Sequence, residues 1–229
     1  MINFIRTDIS GIANGVKVLV YGRAGAGKTT LIATAPAPFV ISAENGLMSL
    51  RKYQIVGAEV HTYEEMKEVC DWLHGSAEAK QFATVAMDSV SEIAERILEN
   101  EKASNKDPRK AYGETQDKVL SILRRFRDIP GKNIYFSAKQ EAAKDEVTGM
   151  VLNGPSMPGR QLGPALPYLF DEIFNLNIGK TPDGQEFRYL RTRMDNQYDA
   201  KDRSGVLDTF EPPDLTRIFN KIIASGAIQ

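Results

Sequence analysis

The sequence predicts an α/β fold, a mostly parallel sheet with helices on both faces and β hairpins at its C-terminal end. Three observations predict it. Residues 16–35 read strand, glycine loop, helix. Apolar runs at 39–42, 82–89, 133–138 and 170–178 then alternate with helical segments, as strand–helix–strand units of a parallel sheet do. Beyond 180 the pattern changes to short strands and turns, starting with Lys180-Thr181-Pro182-Asp183-Gly184. The 229 residues suit one domain, 1–229, with a sizeable core.

Residues 1–15 are a lead-in with turn signals at Gly11 and Asn14-Gly15. The apolar run Val16–Tyr21 is the first buried strand. It opens into Gly22-Arg23-Ala24-Gly25-Ala26-Gly27-Lys28-Thr29, which has the spacing G-x-x-x-x-G-K-T of a phosphate-binding loop. Glycines let the backbone bend closely enough to aim several N–H groups at a triphosphate. Gly22 through Thr30 would cradle the phosphates, Lys28 would reach the β- and γ-phosphates, and the Thr29 hydroxyl would bind Mg²⁺. A short helix from Thr29 to Ala35 follows and stops at Pro36.

The second strand, Phe39–Ser42, ends at Ala43-Glu44. Glu44 thus sits at the carboxyl end of a strand, where open α/β sheets bind ligands. A short strand is expected over 59–63. Thr62 and Glu65 form a capping box for a helix that buries Met66, Val69, Cys70 and Leu73. His61, His74 and Trp72 lack metal-like spacing and read as structural or surface residues. Phe82–Ser89 is an apolar strand ending in Asp88, the Walker B pattern, in which one carboxylate holds Mg²⁺ through water. The helix Val90–Asn100 comes next.

Residues 101–115 are polar and basic and read as a solvated loop or a nucleic-acid contact. A helix over 114–129 buries Val119, Ile122, Leu123, Phe126 and Ile129. Asn133–Ala138 is the fourth strand, with Lys139 and Gln140 directly after it. Residues 141–167 are rich in Gly and Pro and read as a long functional loop or a β-ribbon. Phe170–Ile178, a hairpin to Glu186–Met194, the charged turn 200–205 and a helix after Pro212-Pro213-Asp214 complete the chain.

Composition narrows the function. The chain is 42% hydrophobic and 26% charged, with net charge −1, so no global basic signature marks a nucleic-acid binder. Charge is uneven, however. Residues 51–100 carry 5 Lys/Arg against 10 Asp/Glu, whereas 101–144 carry 11 against 6. The single Cys70 excludes an internal disulfide and a Cys-rich metal site. No signal-peptide pattern or membrane-length apolar run appears, so no membrane partner and a cytoplasmic location are expected. Neither the N-K-x-D nor the D-x-x-G pattern of GTPases is met, since Asn105-Lys106-Asp107 is followed by Pro108 and Asp88 by Ser89-Val90-Ser91. Adenine is therefore expected over guanine, which makes the cofactors ATP and Mg²⁺.

The spacing of the two Walker strands suits P-loop ATPases with an extra strand inserted between them. Such enzymes polarise the attacking water with a glutamate. Glu44 is the candidate base, and Glu92, one turn into the next helix, competes with it. Phe39–Glu44 followed by Val85-Ala86-Met87-Asp88-Ser89-Val90 resembles the RecA/RadA recombinase core. Over about 16–222 the chain resembles the short phage-encoded RecA-like ATPases that include single-strand annealing proteins. The further pieces are Tyr112-Gly113-Glu114, Pro158-Gly159-Arg160, Leu169-Phe170-Asp171-Glu172 and Lys201-Asp202-Arg203.

That resemblance implies a three-layer RecA-like ATPase core and several roles. Lys139 falls where the family keeps a γ-phosphate-sensing glutamine, with Gln140 one residue late. The 141–167 stretch falls at a DNA-binding loop. Lys201 and Arg203 fall where a neighbouring subunit's nucleotide is reached, which implies a head-to-tail ring or filament. The expected activity is ATP-dependent annealing or strand pairing of single-stranded DNA in phage recombination, in a bacterial host cell, with a phage single-strand-binding protein as a possible partner. The alternative is an AAA-like ATPase that acts on protein, or a motor or switch, without touching DNA.

Overall fold

The computed structural model describes residues 14–44, 46–144 and 149–226. The sheet is ten-stranded, and its main path runs β10-β8-β7-β1-β5-β4-β2-β3. Five strands of this path pair in parallel with their neighbours: β1 (Lys17–Gly22), β2 (Pro38–Ser42), β4 (Thr84–Asp88), the first half of β5 (Asn133–Lys144) and β3 (Val56–Glu59). The strand β7 (Glu172–Lys180) also joins β1 in parallel. Antiparallel β8 (Glu186–Arg191) and β10 (Phe210–Glu211) extend the sheet beyond β7. All six residues of β1 are buried, because it lies mid-sheet between layers.

Alternation along the strands sends side chains to two cores. Leu19, Ile41, Met87 and Phe136 face the helices α2 (Tyr63–Gly75), α3 (Val90–Ser104) and α4 (Pro108–Arg127). Val18, Val20, Val40, Ala86 and Phe174 face the other way. They pack under the short helix α1 (Lys28–Leu31) and under Leu215, Ile218 and Phe219 near the start of α6 (Leu215–Gly226). Helix, sheet and helix make the expected three layers. Trp72 belongs to the first core, its ring 5.3 Å from Phe39 and 6.3 Å from Phe82. His74 Nε2 lies 3.0 Å from Arg125 O.

Element boundaries differ most from the sequence reading at three places. The short strand is 56–59 rather than 59–63. The N–H groups of His61 and Thr62 are taken by the Glu65 carboxylate of the capping box, so the ladder ends at Glu59. Residues 101–115 are mostly helix. α3 continues to Ser104, and α4 starts at Pro108 with Asp107 as its N-cap, accepting from Arg109 N at 2.9 Å. The stretch after 140 is more regular than its glycines suggest. β5 continues to Lys144 and pairs antiparallel with β6 (Val151–Pro155), before the short helix α5 (Leu162–Ala165). Residues 141–144 and 151–155 thus form a β-ribbon, while the rest of the described stretch to 167 is loop and short helix.

Candidate functional site

The phosphate loop leaves the buried end of β1 at Gly22. Gly25 and Gly27 have φ of 78° and 107°, a left-handed conformation that glycine adopts without steric cost. At Gly22 space is the constraint, since a Cβ there would lie 2.6 Å from Leu176 O of β7. Leu31 N donates to Gly27 O at 2.9 Å, the first turn of α1. From beneath, the fully buried Tyr135 hydroxyl donates to Lys28 O at 2.8 Å and ties the start of α1 to β5.

The side chains of the loop meet the carboxylates of β2 and β4. Lys28 Nζ donates to Gly22 O at 2.8 Å and to Arg23 O at 3.2 Å. Burial lowers its pKa below the ordinary lysine value, and the nearby Asp88 and Glu44 carboxylates oppose that shift. Thr29 Oγ1 donates to Asp88 Oδ2 at 2.6 Å, and the buried Ser137 hydroxyl donates to Asp88 Oδ1. Glu44 is exposed, and its Oε1 accepts from Ser89 Oγ at 2.5 Å. Strand register explains this gathering. Ser42 pairs with Asp88 across β2 and β4, and Met87 with Phe136 across β4 and β5, which places Ser137 beside Asp88.

This set fits a magnesium nucleotide. Its donors are hard oxygens, as Mg²⁺ requires: the Thr29 hydroxyl and the Asp88 carboxylate, already in contact. The Ser42 hydroxyl, in register with Asp88, is buried without a hydrogen-bond partner among the described residues. No cluster of three or more His, Cys, Asp or Glu that could hold a metal occurs among the described residues. A P-loop site asks for one such carboxylate, with phosphates and water completing the shell.

The remaining sequence candidates separate. Glu92, the competitor for the base, ion-pairs with Arg96 at 3.5 Å and with Lys139 at 2.9 Å. Lys139 Nζ is also 2.6 Å from Glu95, so its ammonium is directed to α3. Gln140 instead accepts from Asn175 Nδ2 of β7 at 3.1 Å and donates to Asn153 Oδ1 of β6 at 3.0 Å. Lys201 and Arg203 lie at the far edge of the sheet. The strand β9 (Lys201–Asp202) pairs with Glu172–Ile173, the beginning of β7, whereas the phosphate loop leaves the end of the parallel β1. Lys201 Nζ donates to Pro167 O and Phe170 O, at 2.9 and 2.5 Å, and Arg203 pairs with Asp171 at 3.0 Å. The geometry does not bring either cation to the loop of its own chain.

Four residues at the site escaped the sequence reading: Ser42, Tyr135, Ser137 and Arg188. The first three had a signal, since hydroxyls in otherwise apolar strands need partners. Arg188 had none; it comes from β8 and donates from Nε to Ala26 O at 2.8 Å.

A second feature involves no residue of the phosphate loop. Arg109, Tyr112, Gly113 and Gln116 of α4 and residues Pro158–Leu162 line a cavity of about 510 Å³. The backbone at Gly159 (φ 80°) runs so close to Tyr112 that a Cβ would lie 3.2 Å from its ring. Lys102 Nζ stands 5.1 Å over the same ring.

A glycine loop closed by Lys28 and Thr29, facing a strand-end Asp88 across an inserted strand β5, defines the chain as a P-loop ATPase of the class with that extra strand. Residues 14–204 match the model of the AAA domain family AAA_24, and the chain belongs to that family. No curated protein matches it in sequence. Among solved structures, it is similar to the KaiC-like protein PH0186 from the hyperthermophilic archaeon Pyrococcus horikoshii OT3. That similarity has 15% identity over 79% of this chain and 80% of that one, with a TM-score of 0.47, too loose to carry a functional argument. Among the described residues, no helix is long and apolar enough to cross a membrane.

Proposed function

We propose that the protein hydrolyses ATP with Mg²⁺ and couples that cycle to single-stranded DNA held across the Tyr112 cavity. Lys28 binds the β- and γ-phosphates, and Thr29 and Asp88 hold the metal, which when bound neutralises phosphate charge. Glu44 orients and deprotonates the attacking water. Its proximity to Ser89 and Lys28, and the commitment of Glu92 to Arg96 and Lys139, support Glu44 over Glu92.

The observation that carries the DNA reading is the convergence of Arg109, Tyr112 and Arg160 in one cavity. Cations that neutralise the backbone, beside a half-exposed aromatic ring on which a base can stack, are what sequence-tolerant single-strand binding needs. Hydrogen bonds tie the segment just before Pro158 to the start of the helix after Walker B and to the inserted strand β5. Ser91 Oγ, just after Walker B, donates to Ser156 O at 2.7 Å and accepts from Lys139 N at 2.9 Å. Ser156 N in turn donates to Lys139 O at 2.7 Å. Assembly is head-to-tail, so that the exposed Arg203 serves the nucleotide of a neighbouring copy.

The test is retention on single-stranded DNA as a function of salt, with ATP turnover measured alongside. Wild type should bind at low salt and release as salt rises, and DNA should stimulate turnover. Arg109→Ala with Arg160→Ala should weaken binding about tenfold and remove the stimulation. Unstimulated turnover with no retention at low salt would shift the assignment to an ATPase that acts on protein.

A further inference from the structure

The hairpin of β7 and β8 lays a cation over the phosphate loop of the same chain. Register sets its position: Ile178 pairs with Arg188, two residues along β7 from Leu176, whose carbonyl abuts Gly22. Arg188 Nε donates to Ala26 O at 2.8 Å, and a Cβ on Gly27 would lie 3.1 Å from that same Nε. Gly27 is thus small and left-handed at the point where the guanidinium rests. Among the described residues no carboxylate is in ion-pair range of Arg188, so its charge is not neutralised.

The opposite face of β8 braces this position. Phe187 and Tyr189 flank Arg188 and point away from it, with ring centroids 5.8 Å apart, and Tyr189 meets Phe210 of β10 edge-on at 5.3 Å. Gly179 lets the Phe187 ring lie on the backbone, since a Cβ there would be 2.8 Å from it. The β7 ladder thus holds the strand that presents the arginine.

We propose that Arg188 contacts the nucleotide in cis. Its Nε stays on Ala26 O while the two Nη groups bind the α- and β-phosphates. The side of the loop decides which phosphates. Asp88, Glu44 and Ser137 come from β4, β2 and β5, all on one flank of β1, and they define the terminal-phosphate side. Arg188 comes from β8, on the other flank. A planar guanidinium with two free-standing N–H edges suits a diphosphate bidentately. The inference rests on the reading of the loop as a nucleotide site, and it adds to that site a diphosphate-binding residue outside the glycine motif.

The experiment compares ADP and ATP affinity by titration, turnover at saturation, and ligand-free melting temperature, for wild type, Arg188→Ala and Arg188→Lys. Arg188→Ala should weaken both nucleotides by the same factor, about tenfold or more, as loss of a charge-assisted phosphate contact does. The ligand-free protein should melt as wild type does. Arg188→Lys should recover part of the affinity. Unchanged affinity in Arg188→Ala would overturn the inference. Loss of ATP affinity alone would also overturn it, because that places the side chain on the γ-phosphate. A fall in turnover with a lowered ligand-free melting temperature would make Arg188 a prop of the loop. Failure of wild type to bind ADP would instead remove the nucleotide reading itself.

Discussion

Glu172→Gln should stabilise the protein, and increasingly so as pH rises. Glu172 is 1% exposed at the start of β7, in register with Asp202 of β9. Its Oε1 accepts from Ser204 N at 3.2 Å, and its Oε2 is buried without a partner among the described residues. Burial, reinforced by the Asp202 carboxylate, pushes its pKa up to about 8 from the usual 4.5. The folded protein therefore keeps a proton on Glu172 that the unfolded chain has already lost above about pH 4.5. The native state binds more protons in that window, so this residue's contribution to stability falls as pH rises, and levels off above about pH 8. The slope is about 1.4 kcal/mol per pH unit, which gives about 3 kcal/mol between pH 6 and pH 8 as a ceiling. Gln keeps the shape and cannot ionise. The assay is thermal or urea unfolding of both proteins at pH 6 and pH 8. The advantage of the variant should grow across that range, by several degrees in melting temperature. If the difference is flat with pH, or if the variant is the less stable at pH 8, Glu172 is ionised in the fold and the reasoning is wrong.

Three further predictions concern the site. Gly22→Ala should cost about 1–3 kcal/mol in denaturant unfolding and abolish nucleotide binding, because its methyl meets a backbone carbonyl of β7. Gly25→Ala, with nothing within 4 Å of a Cβ, should cost only the left-handed strain of about 1 kcal/mol. Ser137→Ala removes a buried donor from Asp88. It should destabilise by about 1–2 kcal/mol and raise the Mg²⁺ concentration needed for half-maximal turnover.

Residues 16–35 were legible because a glycine spacing and a strand–helix switch are local signals. Asp88 was legible because an apolar strand that ends in an acid is local too. That a strand is inserted between the two Walker strands was inferred from their spacing, and the sheet order β1-β5-β4 shows which strand it is. Other features depended on contacts between distant segments. That α4 begins at Pro108 was written in Asp107-Pro108, a cap and first-turn pair, but the polar run around it masked the signal. The commitments of Lys139 to Glu92 and Glu95, and of Lys201 to two carbonyls, become visible only once α3 and the 167–170 turn are placed. Arg188 is separated from Ala26 by 162 residues, and only the β7–β8 register, built on the placement of β7 against β1, joins them.

The measurement closest to the central claim is steady-state ATP turnover, with nucleotide binding measured in parallel, for wild type, Lys28→Ala and Glu44→Gln. The account predicts Mg²⁺-dependent turnover in wild type and loss of both binding and turnover in Lys28→Ala. In Glu44→Gln it predicts retained ATP binding with turnover reduced by about 10² or more, the scale of losing a general base. Near-wild-type turnover in either variant would contradict the assignment of this loop and its facing glutamate as the hydrolytic site.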